Sequence, residues 1–144
     1  MTPRRLVVDA NILVRAVLGR RVREVIGAHA SEAEYFVPGV AYHDAERHLP
    51  AILDKFGRSG EVGEALAVLA QLRGILLAVP EEFYLSQKEE SLARIERRDV
   101  EDWPVLALAL VLECPIWTED NDFFGCGVPT WTTDRVERYL RPGV

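Results

Sequence analysis

Apolar positions along the chain alternate between short contiguous runs and sets spaced three or four residues apart. Leu6-Val7-Val8 is a largely β-branched run that stops at Asp9 and gives way to Ile12, Leu13, Ala16 and Val17 at helical spacing, which predicts a strand and then a helix, with Asp9 at the strand's carboxyl end. Tyr35-Phe36-Val37 repeats the pattern: a strand ended by Pro38, then a helix with Ala41, Ala45, Leu49, Ile52 and Phe56 near one face, closed by Gly57 to Gly60. Glu61 to Leu72 predicts a helix with Val62, Ala65, Leu66 and Leu69 inward and Gly74 as its cap. The unbroken run Ile75 to Val79, bounded by Pro80, predicts a buried strand. Phe83 to Arg98 reads as a charged helix. Asp102 to Glu113 reads as another, with Asp102 suited to its N-cap and Pro104 to its first turn. Ile116-Trp117-Thr118, a short strand at Thr130-Trp131 and a helix from Thr132 or Thr133 to Leu140 complete the pattern.

Strands alternating with helices predict an α/β fold, a parallel sheet of four to five strands with helices on both faces. In such a sheet a ligand sits outside the carboxyl ends of the strands, near the switch point in strand order. The 144 residues suit a single domain over 1–144. With 49% hydrophobic and 28% charged residues the composition is that of a globular chain. No apolar run approaches the roughly 18 residues of a membrane span, and no cleavable signal is visible. Cys114 and Cys126 lack metal-ligand spacing. Cytoplasmic localisation without a membrane partner is the expectation; Cys114 reads as a small buried residue and Cys126 as incidental to a loop.

Charge changes the picture. Seventeen Lys and Arg against 23 Asp and Glu give a net charge of −6, which by itself argues against a nucleic-acid partner. The positions of the acids argue otherwise. Asp9 ends the first strand, Asp44 lies in the first turns of the helix after the second, Asp102 opens a helix, and Asp120 and Asp122 follow the fourth strand. Each alone suits a cap or a turn, but together at one sheet edge they would repel unless cations neutralised them. Oxygen ligands without Cys or a His pair favour Mg²⁺ or Mn²⁺, one or two ions, over zinc. His43 and His48, five apart, point to different helix faces.

Asp9-Ala-Asn11-Ile-Leu-Val, Asp44 six residues after Pro38, Asp102-Trp-Pro-Val-Leu-Ala107-Leu-Ala109 and Thr118-Glu-Asp120-Asn-Asp122-Phe123 resemble, in order and spacing, the motifs of the PIN-domain ribonucleases, which include VapC-type toxins. The resemblance covers nearly the whole chain. It implies a Rossmann-like α/β/α sandwich and a Mg²⁺- or Mn²⁺-dependent endoribonuclease that hydrolyses RNA by metal-activated water, in the toxin case with an antitoxin partner; homodimers are common in the family. Carried over by position, Asp9, Asp102 and Asp120 match the family's acids, Asp122 is a further candidate ligand, and Asn11 matches its usual polar neighbour. The family has glutamate where Asp44 aligns, and Glu46 is the rival at two residues' offset. The shorter Asp44 supports an alternative reading, a catalytically weak or inactive module that binds RNA or protein. Thr118 could hydrogen-bond a carboxylate or the phosphate. Arg20, Arg21 and Arg23 are candidate RNA contacts, as are Arg94, Arg97 and Arg98, for which a solvated helix face is the plainer reading.

Overall fold

The computed structural model describes residues 3–96 and 98–141. Five strands pair in parallel: β1 (Arg4–Val8), β2 (Ala33–Pro38), β3 (Leu76–Val79), β4 (Ile116–Trp117) and β5 (Thr130–Trp131). Their spatial order is β3-β2-β1-β4-β5. The central strand β1 is covered on both faces, so Leu6, Val7 and Val8 are all fully buried and no polar alternation survives in its sequence.

Two apolar layers flank the sheet. On one side Leu6, Val8, Tyr35, Val37 and Trp117 pack under α1 (Ala10–Leu18), α2 (Arg21–Ala28), α3 (Gly39–Lys55), α4 (Val62–Leu72) and α7 (Val136–Leu140). On the other, Val7 and Ile116 pack under α5 (Lys88–Ile95) and α6 (Trp103–Leu112). The arrangement is an α/β sandwich with a five-stranded parallel sheet. Helix α6 is apolar nearly all round and buried from Pro104 to Ala109, as a helix pressed between a sheet and its neighbours must be. Among the described residues, no helix is long and apolar enough to cross a membrane.

Five local expectations change. Helix α2 has no counterpart in the sequence reading, yet Val22, Val25 and Ile26 carry helical spacing and are buried; the arginines around them hide the stripe. The run Ile75–Val79 is not a buried strand. It forms the sheet's outer edge, with Ile75 and Leu77 43% and 45% exposed. Phe83–Arg98 is not one helix. Two single-turn 3₁₀ segments, Glu81–Phe83 and Leu85–Gln87, precede α5, because Tyr84 alone turns inward, edge-on to Trp103 at 5.7 Å, between the exposed Phe83 and Leu85. Phe56 caps α3 at 68% exposure instead of joining its inner face, and Cys126 is buried.

Candidate functional site

The sheet order fixes where a site can form. From β1 the chain moves outward to β2 and β3, then crosses to β4 on the other side of β1, so the switch point lies between the carboxyl ends of β1 and β4. Asp9 stands at the first of these ends. It caps α1, its Oδ1 accepting from the Ile12 amide at 2.9 Å, and its Oδ2 accepts from the hydroxyl of Thr118, just past β4. Thr118 is fully buried, and the same hydroxyl oxygen accepts from the Asp120 amide at 2.9 Å. One small side chain thereby ties the end of β1 to the turn after β4. Asp120 in turn caps the 3₁₀ turn Asn121–Phe123, its Oδ1 accepting from the Asp122 amide at 2.9 Å.

Asp102 enters from the other layer, immediately before α6. It stands at the N-cap position but its side chain makes no cap bond, and its Oδ2 is buried with no hydrogen-bond partner among the described residues. Asp102, Asp120 and Asp122 can each place a carboxylate oxygen within 4.8 Å of the others. Asp9, Asn11, Asp44, Glu101, Asp102 and Asp120 line a cleft of about 110 Å³.

Burial and mutual repulsion govern the electrostatics. Loss of water pushes the Asp9 carboxyl up to about 6, with the charge of Asp120 adding and the bonds from Thr118 and Ile12 opposing. Burial likewise raises Asp102 to about 7, reinforced by Asp120, Asp99, Asp9 and Asp122. An orphaned, buried carboxylate oxygen facing further carboxylates is short of a positive partner. The donor set is all oxygen, which fits a hard divalent cation of the Mg²⁺ or Mn²⁺ kind; His43 and His48 are exposed on α3.

The remaining candidates separate. Asp44 is half-buried and lines the cleft, whereas Glu46 is exposed and reaches Arg73 at 3.5 Å. Asn11 sits exposed at the rim. Asp122 joins the cluster with Asp102 and Asp120 without lining the cleft itself. Arg20 and Arg21 border a different concavity with Leu18 and Thr133. Arg21 bonds Glu137 at 2.6 Å, and Arg23 donates to the Gly19 carbonyl at 3.1 Å, so the structure does not bring this group to the acids. Glu101, whose place beside Asp102 in the sequence suits either the same acidic pool or an ordinary charged loop, also lines the cleft. Arg94 and Arg98 bond the loop that carries Asp120 and Asp122, and Arg97 lies outside the described residues.

The sequence profile of the PIN domain matches residues 7–141. Among solved structures, a chain in the crystal structure of VapBC2 from Rickettsia felis, bound to a DNA fragment from their promoter, superposes with a TM-score of 0.68 at 10% identity, over 89% of this chain and 98% of that one. No curated protein sequence matches.

Proposed function

The chain belongs to the PIN-domain family, and from that premise and the acidic cleft we propose that it is a divalent-metal-dependent endoribonuclease, the toxin of a toxin–antitoxin pair. The observation that carries the reading is the convergence of Asp9, Asp44, Asp102 and Asp120 on one cleft, with an oxygen of Asp102 buried and unpartnered among the described residues. The similarity in fold to a chain of VapBC2 supports the antitoxin partner.

In this mechanism Asp9, Asp44, Asp102 and Asp120 would hold the ion or ions, with Asp122 beside them. A divalent cation held there would supply positive charge for a phosphodiester and acidity for a bound water. The chain's part is to fix the ligands. Asp9 keeps both oxygens oriented by Ile12 and Thr118, and each oxygen retains a further lone pair for a cation. Thr118 holds Asp9 and the Asp120 backbone at a set separation. Asn11, at the rim, is placed to donate to a phosphate oxygen.

Incubation of RNA with the purified chain tests the proposal. Cleavage is expected with Mn²⁺ or Mg²⁺ and is expected to stop with a chelator. Tight Mn²⁺ binding without cleavage of any RNA tried would instead favour the binding module.

Thr118→Val keeps the side chain's shape and removes both hydroxyl bonds. A hydrogen bond to a charged group contributes about 1.5 to 3 kcal/mol, so the rate at pH 7 is expected to fall by about tenfold or more. Because the lost bond is one that lowers the Asp9 pKa, the pH profile of kcat/KM should also move to higher pH; an unmoved profile would contradict the role given to Thr118.

A further inference from the structure

Between the two-residue strands β4 and β5 the chain makes a long excursion over residues 118–129, and the acids Asp120 and Asp122 ride on its first turn. That loop has little ladder to hold it. A 3₁₀ turn also leaves its last carbonyls without partners of its own, and the carboxylates it carries repel those of Asp9 and Asp102. Buried Phe123 and Cys126 root the loop in the core, but the backbone around them, which carries Asp122, needs partners for its carbonyls.

Two arginines answer both problems. Nη1 of Arg98, just beyond α5, is directed into three main-chain carbonyls of the loop: Asn121 at 3.1 Å, Asp122 at 2.6 Å, and Phe124. One turn earlier, Arg94 anchors its Nε on Glu90 at 2.9 Å and donates from Nη1 to the Cys126 carbonyl at 3.1 Å. The loop is shaped to receive them. Gly125 and Gly127 adopt φ of +85° and +89°, and a Cβ at Gly127 would stand 2.8 Å from Arg94 Nη1. Among the described residues, neither arginine forms an ion pair with Asp102, Asp120 or Asp122. They grip the backbone and not these carboxylates.

We propose that Arg98, supported by Arg94, is a positioning residue that holds the 121–126 backbone against α5 and so sets the Asp102, Asp120 and Asp122 spacing on which metal affinity depends. The proposal rests on reading the cleft as a divalent-cation site. It departs from the view of these arginines as phosphate contacts or a solvated face, because each directs Nη1 onto the protein's own main-chain carbonyls.

The sign of one measurement separates a clamp from a mere charge. A cation beside a metal site repels the metal, so deleting it for charge alone would tighten Mn²⁺ binding; deleting a clamp loosens it. Mn²⁺ titration of the metal-free full chain, followed by electron paramagnetic resonance, is expected to show Arg98→Ala binding at least about tenfold more weakly, in line with losses of partners that orient ligands. Hydrogen exchange at residues 121–126 should accelerate while the amides of β1 stay protected. Arg98→Lys, which keeps the charge on a shorter side chain whose ammonium does not reach as far toward the three carbonyls met by Nη1, is expected to fall between, and serves as the test variant should Arg98→Ala not fold. Arg58→Ala, removing an arginine paired with Glu61 beyond the far end of α3, should leave affinity unchanged. If Arg98→Ala binds Mn²⁺ as tightly as the parent or tighter, or raises only the KM for RNA, the clamp is overturned while the metal-site reading stands. If the parent chain binds no Mn²⁺, both fall.

Discussion

Asp9→Asn is expected to slow metal-dependent RNA cleavage by about 10³-fold, the loss of roughly 4 kcal/mol of transition-state stabilisation, and at the same time to make the metal-free protein harder to melt. The two effects have one cause. Asp9 is 6% exposed, and its charge is retained in the folded state against the cost of burial. Asparagine caps a helix about as well as aspartate, so α1 keeps its start with the amide oxygen on the Ile12 N–H, and the side-chain NH₂ then faces the Thr118 hydroxyl as a donor where the carboxylate had accepted. What disappears is the buried negative charge. A carboxyl raised from 3.8 to about 6 corresponds to about 3 kcal/mol of lost stability at neutral pH, so a gain of several degrees in melting temperature is expected for a chain of this size. Retained cleavage would remove Asp9 from the site. Lost cleavage with a lowered melting temperature would show that the variant had merely damaged the fold.

Raising the pH from about 4 to about 7 should destabilise the metal-free protein. Asp9 and Asp102 both bind protons more tightly folded than unfolded, since their folded values of about 6 and about 7 exceed the ordinary 3.8. The folded state thus carries more protons across this window and its stability declines as they leave, flattening above pH 7. Saturating Mn²⁺ should offset much of the decline, because a cation binds the deprotonated site and stabilises the state that holds it. Thermal melts at half-unit intervals, with and without Mn²⁺, check both statements. A metal-free curve that rises through this window would contradict the buried, mutually repelling carboxyls.

The parts of the fold legible in the sequence were those where burial is complete. Leu6-Val7-Val8 reads as a strand because both its faces are covered, and Asp9 and Asp102 stand out because one ends an apolar run and the other opens one. The edge strand misleads: Ile75 to Val79 is as apolar as a central strand, and nothing local tells the reader that one side is left open. Helix α2 was hidden because only three of its eight residues face inward. At the site, spacing favoured Asp44 although residue type favoured Glu46, and Thr118 was legible as a partner for a carboxylate, but not that its one hydroxyl serves two partners that are neighbours only across the β1–β4 junction. Arg94 and Arg98 were illegible for a related reason. Their acceptors are main-chain carbonyls, which every sequence has and none advertises.

The exposed outer edge of β3 has a consequence for handling the protein. Among the described residues, no strand pairs with its free side, and Leu76-Leu77-Ala78-Val79 carries no charge. Such an edge is a template on which another extended chain can add, and Leu77 offers that chain a greasy foothold. Pro80, Glu81 and Glu82 follow at once, a rigid residue and two like charges that act as gatekeepers against stacking. Self-association at high concentration is therefore expected to start at this edge, on the far side of β2 from the acids, and to worsen when both glutamates are replaced by glutamine.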